Sequence, residues 1–114
     1  MDKKAKISIM SDDFLFQVLT PLEFYVRVTH SYWEYIVTIK HPVMADRAEE
    51  VKDALQTPDE IRVSRSDSNV YLFYKTKRIG RWVCAVAKRL NGAGFLITTY
   101  PTDAIKEGTK IWPK

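Results

Sequence analysis

A chain of 114 residues, 46% apolar and 28% charged, has the size and composition of one globular domain and excludes a disordered or collagen-like segment. One cysteine, Cys84, excludes an internal disulfide, and no apolar run has the length of a membrane span or a secretory leader, so the cytoplasm is the expected compartment. The net charge of +4 is uneven: seven Lys/Arg against nine Asp/Glu give −2 over residues 1–57, and eleven against five give +6 over 58–114. A positive field speeds encounter with polyanions, although basic faces also occur on proteins that bind no nucleic acid.

Residues 1–12 form a loosely ordered start, followed by a single domain over 13–114, because no repeat, Gly/Ser linker or low-complexity tract divides the chain. Leu22, Phe24, Val26 and Val28 alternate with Glu23, Tyr25, Arg27 and Thr29, which is the period-two pattern of a half-buried strand. Residues 31–39 carry two patterns. Ser31 and Glu34 have the spacing of a capping box with Trp33, Ile36 and Val37 on one helical stripe, whereas Trp33, Tyr35, Val37 and Ile39 alternate like a strand. The helix is the preferred reading. After His41-Pro42, Ala48, Val51 and Leu55 share one face of an amphipathic helix over 45–56, which Thr57-Pro58 stops.

Four runs rich in Val, Ile, Phe, Tyr, Trp and Thr follow, over 61–65, 70–75, 81–89 and 94–100, separated by Asp67-Ser68-Asn69, by Lys77 to Gly80 and by Asn91-Gly92-Ala93. Short turns between consecutive strands predict an antiparallel meander. The expected architecture is therefore α+β, with an N-terminal strand and two helices packed on a four-stranded antiparallel meander sheet. Helices on one face would leave the other open to a ligand. Trp33 and Leu55 are expected between helices and sheet, and Cys84, within Trp82-Val83-Cys84-Ala85-Val86, is expected to be a buried thiol.

No metal-ligand, P-loop, dinucleotide or nucleophile-elbow motif is present, so neither a metal nor any other cofactor is expected. His41 stands at the joint between the helices, where an imidazole either carries protons near neutral pH or simply ties the joint together. Strict alternation along the last strand puts Leu96, Thr98 and Tyr100 on one side and Phe95, Ile97 and Thr99 on the other. Two hydroxyls would then project together, as phosphate or base contacts or as ordinary strand residues. Lys88 and Arg89 end the preceding strand on opposite faces, and Lys88 is the cation expected to meet Thr98 and Tyr100. Arg65, between Ser64 and Ser66, is a phosphate contact or a solvated strand-end arginine. Of Tyr71, Phe73 and Tyr74, at least two are expected in the core.

The stretch from Trp33 through His41-Pro42, Leu55 with Pro58-Asp59, Leu72-Phe73-Tyr74-Lys75, Val86-Ala87-Lys88, Gly94 to Tyr100, Ile105-Lys106 and Trp112 resembles the phage and bacterial nuclease-like families grouped with barnase, EndoU, colicin ribonucleases and RelE. The resemblance covers residues 30–112 and rests on pattern. It implies a RelE/barnase-like fold whose open sheet face binds RNA, and metal-independent cleavage by attack of the ribose 2′-hydroxyl on the neighbouring phosphate. It further implies His41 as proton carrier, Arg65 and Lys88 as cations on the phosphate, and Thr98 with Tyr100 positioning phosphate and base. Lys75, Arg89 and Lys106 join Arg65 as expected RNA contacts, and an antitoxin protein is a possible partner. Similar sequences imply a second histidine near position 35, where this chain has Tyr35. A non-catalytic nucleic-acid- or protein-binding module with the same fold is the alternative.

Overall fold

The computed structural model describes residues 13–114, so the expectation of a loosely ordered start over 1–12 lies outside the described residues. Seven strands build one sheet: β1 (Phe14–Leu19), β2 (Tyr25–Thr29), β3 (Glu60–Val63), β4 (Val70–Arg78), β5 (Arg81–Leu90), β6 (Ala93–Thr102) and β7 (Thr109–Trp112). Their spatial order is β1-β2-β6-β5-β4-β3-β7. The β3–β6 meander expected from the turn signals is present, and β1–β2 extend it at one side and β7 at the other. Every pairing is antiparallel except β2 with β6. That parallel contact is short, Val26 against Gly94 and Arg27 against Phe95. Gly94 permits it, because a Cβ there would lie 2.8 Å from both the Phe24 ring and the Tyr25 carbonyl oxygen.

Among the described residues, two helices cover one face. α1 (His30–Tyr35) continues into a π turn over Ile36–Lys40 and a 3-10 turn over Pro42–Met44, and α2 (Ala48–Gln56) follows. The β-branched run Ile36-Val37-Thr38-Ile39 is a poor α former, and the helix widens there, with the His41 amide donating to the Ile36 carbonyl at 2.7 Å. Trp33, Ile36, Met44, Val51, Ala54 and Leu55 meet Val26, Val28, Ile61, Phe73, Val83, Ala85, Ala87 and Leu96 in the main core. Among the described residues no helix is long and apolar enough to cross a membrane.

Several local expectations are corrected. The N-terminal strand starts at Tyr25 and not at Leu22, because Glu23 has a positive φ of 66° in a turn closed by Thr20–Phe24 and Glu23–Thr20 backbone bonds. Phe14–Leu19, outside any expected element, pairs with that strand as a hairpin. The N-cap of α1 is Thr29, whose Oγ1 accepts the Tyr32 amide at 3.1 Å, and not Ser31. The second helix begins at Ala48, three residues late, because the Pro42–Met44 turn intervenes. The opposite sheet face is also less open than expected: Leu72, Tyr74, Cys84 and Val86 form a second buried cluster against which Ile105 packs.

Candidate functional site

The uncovered parts of that second face hold most of the expected site residues. Register defines them, since residues opposite one another on neighbouring strands share a face. Thr98 pairs with Val86 and Tyr100 with Cys84, while Leu96 pairs with Ala87. The pairing shifts by one residue between Val86 and Ala87, so Ile97 is the extra residue of a bulge. Strict alternation therefore fails at this point. Leu96 turns into the main core with Thr99, whose hydroxyl donates to the Cys84 carbonyl at 2.8 Å, and Thr98 and Tyr100 remain together on the second face.

Beyond Phe95 the edge of β6 is free of β2, and α1 and the π turn take its place. The Ile97 carbonyl accepts the Tyr32 hydroxyl at 2.9 Å and Lys40 Nζ at 3.4 Å. This brings the following residue, His41, over the edge, with its ring centroid 5.6 Å from that of Tyr100. Thr98 Oγ1 lies buried with no hydrogen-bond partner. Tyr74, Cys84 and Tyr100 form a row across β4, β5 and β6, with polar contact among the two hydroxyls and the thiol. Burial pushes the Cys84 thiol up to about 12, and burial first and then the neighbouring thiol push Tyr74 and Tyr100 well above the usual tyrosine range. All three groups stay protonated near neutrality, and Tyr100 is a hydrogen-bond donor there.

Burial of the neutral Cys84 thiol makes the fold lose stability as pH rises. The unfolded chain releases the Cys84 proton near 9.0 and the folded chain only near 12, so this stabilisation is full below pH about 9 and falls as pH rises through that window. The urea midpoint should drop between about pH 8 and about pH 10.5, and less so in Cys84→Ala. Equal midpoints in the wild type would mean that the thiol is open to solvent.

The cations divide by face. Lys88 pairs in register with Val70 and Phe95 on the second face, and its ammonium lies 3.2 Å from Asp67 Oδ2. The Asp67 carboxyl also accepts the Asn69 amide, and that bond, followed by the one from Lys88, holds it below the usual carboxylate range. Arg65 and Lys106 line a cleft of about 370 Å³ on the same face with Ser64, Ser66, Val86 and Gly108. Lys75 and Arg89 are on the helix-covered face instead. Lys75 Nζ donates to the Thr57 carbonyl at 2.7 Å, and the Arg89 guanidinium stands 4.7 Å over the Phe24 ring. These two expected RNA contacts thus stand on the face opposite Arg65 and Lys106, because odd positions of β4 and β5 point to the main core.

Lys88 is also set apart from the His41–Tyr100 contact. It lies four residues along β5 from Cys84, the register partner of Tyr100, or about 13 Å at the rise of a strand. The cation that reaches the free edge of β6 is Lys40, which donates to the Ile97 carbonyl and was not legible in the sequence because that edge is a tertiary feature. Arg27 and Phe95 were missed for a similar reason, since only the parallel β2–β6 pairing sets them side by side. No family model, curated protein or solved structure matches the chain.

Proposed function

We propose that this protein binds single-stranded RNA across the second sheet face and cleaves it without a metal, by attack of a ribose 2′-hydroxyl on the adjacent phosphate. The observation that carries this reading is the His41 ring packed 5.6 Å from Tyr100, on the face that also holds Thr98. His41 takes the proton of the attacking hydroxyl. Tyr100, held protonated, donates to a phosphate oxygen or the leaving group, while the unpartnered Thr98 hydroxyl and Lys40 stabilise charge growing on the phosphate. Lys88, Arg65 and Lys106 hold neighbouring phosphates of the chain. This chemistry is that of RelE/barnase-like toxins, whose activity an antitoxin partner would restrain.

Incubation with structured and unstructured RNA in EDTA, followed by analysis of the new ends, tests the reaction. A 2′,3′-cyclic phosphate supports it, and intact RNA leaves a non-catalytic nucleic-acid-binding module. The tie of Lys88 to Asp67, with Lys88 about 13 Å along β5 from the register partner of Tyr100, favours that second reading.

Affinity gives two further expected results. If Arg27, Lys88, Arg65 and Lys106 each meet a phosphate, log K should fall against log salt with a slope of about −3, at roughly −0.7 per contact. A salt-independent complex would remove the basic face from the account. Asp67→Asn should free Lys88 and raise affinity by a few fold, measured by filter binding at low salt; unchanged affinity would take Lys88 out of the RNA path.

A further inference from the structure

One row of residues crosses the sheet in strict register: Arg27 on β2 is opposite Phe95 on β6, Phe95 is opposite Lys88 on β5, and Lys88 is opposite Val70 on β4. A cation, an exposed aromatic and a second cation thus stand on adjacent strands, roughly 4.8 Å apart at each step. At the first end, Phe14 lies under the Arg27 guanidinium, 5.2 Å from ring centroid to guanidinium carbon. Between Phe14, Arg27, Phe95 and Tyr32, with Leu96 as floor, opens a cleft of about 380 Å³. Phe14 and Phe95 are 49% and 39% exposed, so their faces meet solvent and not the core.

We infer that this cleft is a nucleobase subsite, in which one unpaired base stacks on Phe95 and against the Arg27–Phe14 pair while Arg27 and Lys88 hold the flanking phosphates. The chemistry of the walls selects this occupant. An aliphatic ligand would leave the Arg27 guanidinium facing apolar surface, whereas a nucleobase offers a π-face to the phenyl rings and the guanidinium and carries its negative charge on its flanks. A protein segment would fit the phenyl rings but would need its own carboxylates spaced two strands apart to meet Arg27 and Lys88. The cleft is separate from the His41–Tyr100 contact, along the strands from it, and so would fix which nucleotide is bound and not the proton transfers. The inference rests on the RNA reading above and adds to it a site of base recognition.

Fluorescence anisotropy with labelled hexaribonucleotides tests it, one fully based and a set with a single abasic ribose moved along the chain. Wild-type protein should lose about five- to hundredfold in affinity at one abasic position and little at the others. Phe95→Ala should bind the full hexamer about that much more weakly and show no added penalty at that position. Phe95→Leu, which keeps apolar bulk without a π-face, should behave in the same way and guards against a folding defect. A uniform abasic profile, or a Phe95→Ala profile that keeps its single sensitive position, overturns the subsite while leaving RNA binding intact. Failure of every hexamer together with free nucleosides overturns both the subsite and the RNA reading. Free nucleosides that bind with the same dependence on Phe95, where hexamers do not, support the nucleobase cleft and remove the polynucleotide.

Discussion

Leu55→Ala should lower the unfolding free energy by about 2–5 kcal/mol, read from the urea midpoint at constant slope. Leu55 is fully buried, and with Val51 and Ala54 it forms the face that α2 presents to the sheet. Truncation removes the transfer free energy of the lost carbons and leaves a cavity that α2, held at its end by Lys75 through the Thr57 carbonyl, has little freedom to close. Ala48, two turns earlier on the same face, is only half-buried, so Ala48→Ser serves as a contrast with an effect below about 1 kcal/mol. A wild-type midpoint for Leu55→Ala would mean that α2 packs on the sheet through another face.

The sequence carried the local part of this architecture well, for reasons visible in particular residues. Val51 and Leu55 are one helical turn apart and both are buried, so a stripe of period 3.6 located the face of α2. Turn residues between β4, β5 and β6 located the meander, since Gly80, Asn91 and Gly92 all adopt positive φ. Features set by tertiary contact were not legible. β1 begins with Phe14-Leu15-Phe16, which has no clean alternation because the β1–β2 register shifts between Phe14 and Phe16. β7 is four residues long, with only Ile111 and Trp112 of its side chains half-buried, and its place at the sheet edge depends on Gly108, whose positive φ lets the chain pass against Val63.

The same division runs through the candidate site. His41 and Tyr100 are 59 positions apart, and their meeting depends on the π turn that ends at Lys40 and on the free edge of β6. Thr98 and Tyr100 do share a face, but the bulge at Ile97 removes Leu96 from it, and alternation alone has no means of signalling an extra residue. Of the two lysines that the proposed reading sets against phosphate, the one named from the sequence, Lys88, is engaged with Asp67, and the other, Lys40, donates to the Ile97 carbonyl at the free edge of β6. A lysine inside a helical pattern looks like a solvated side chain until the strand edge it leans on is known.

His41→Ala should lower RNA cleavage at least about tenfold, a barrier increase of roughly 1.4 kcal/mol, while leaving the fold intact. The fold should survive because the His41 backbone, not its ring, joins the two helical segments: its amide bonds to the Ile36 carbonyl and its carbonyl accepts the Met44 amide at 2.9 Å. If His41 carries the proton, as proposed, removing the ring next to Tyr100 should lower kcat with KM nearly unchanged. Lys40→Ala should follow the same pattern if its ammonium, held at the Ile97 carbonyl, faces charge growing in the transition state. Lys88→Ala should differ in kind. Lys88 lies about 13 Å along β5 from the register partner of Tyr100, so if it meets a neighbouring phosphate, as proposed, its loss should raise KM more than it lowers kcat. Arg89→Ala, on the helix-covered face over Phe24, should change neither. Single-turnover cleavage with each of the four variants separates these outcomes. An His41→Ala protein that cleaves at the wild-type rate would end the catalytic reading and leave this face to a binding module.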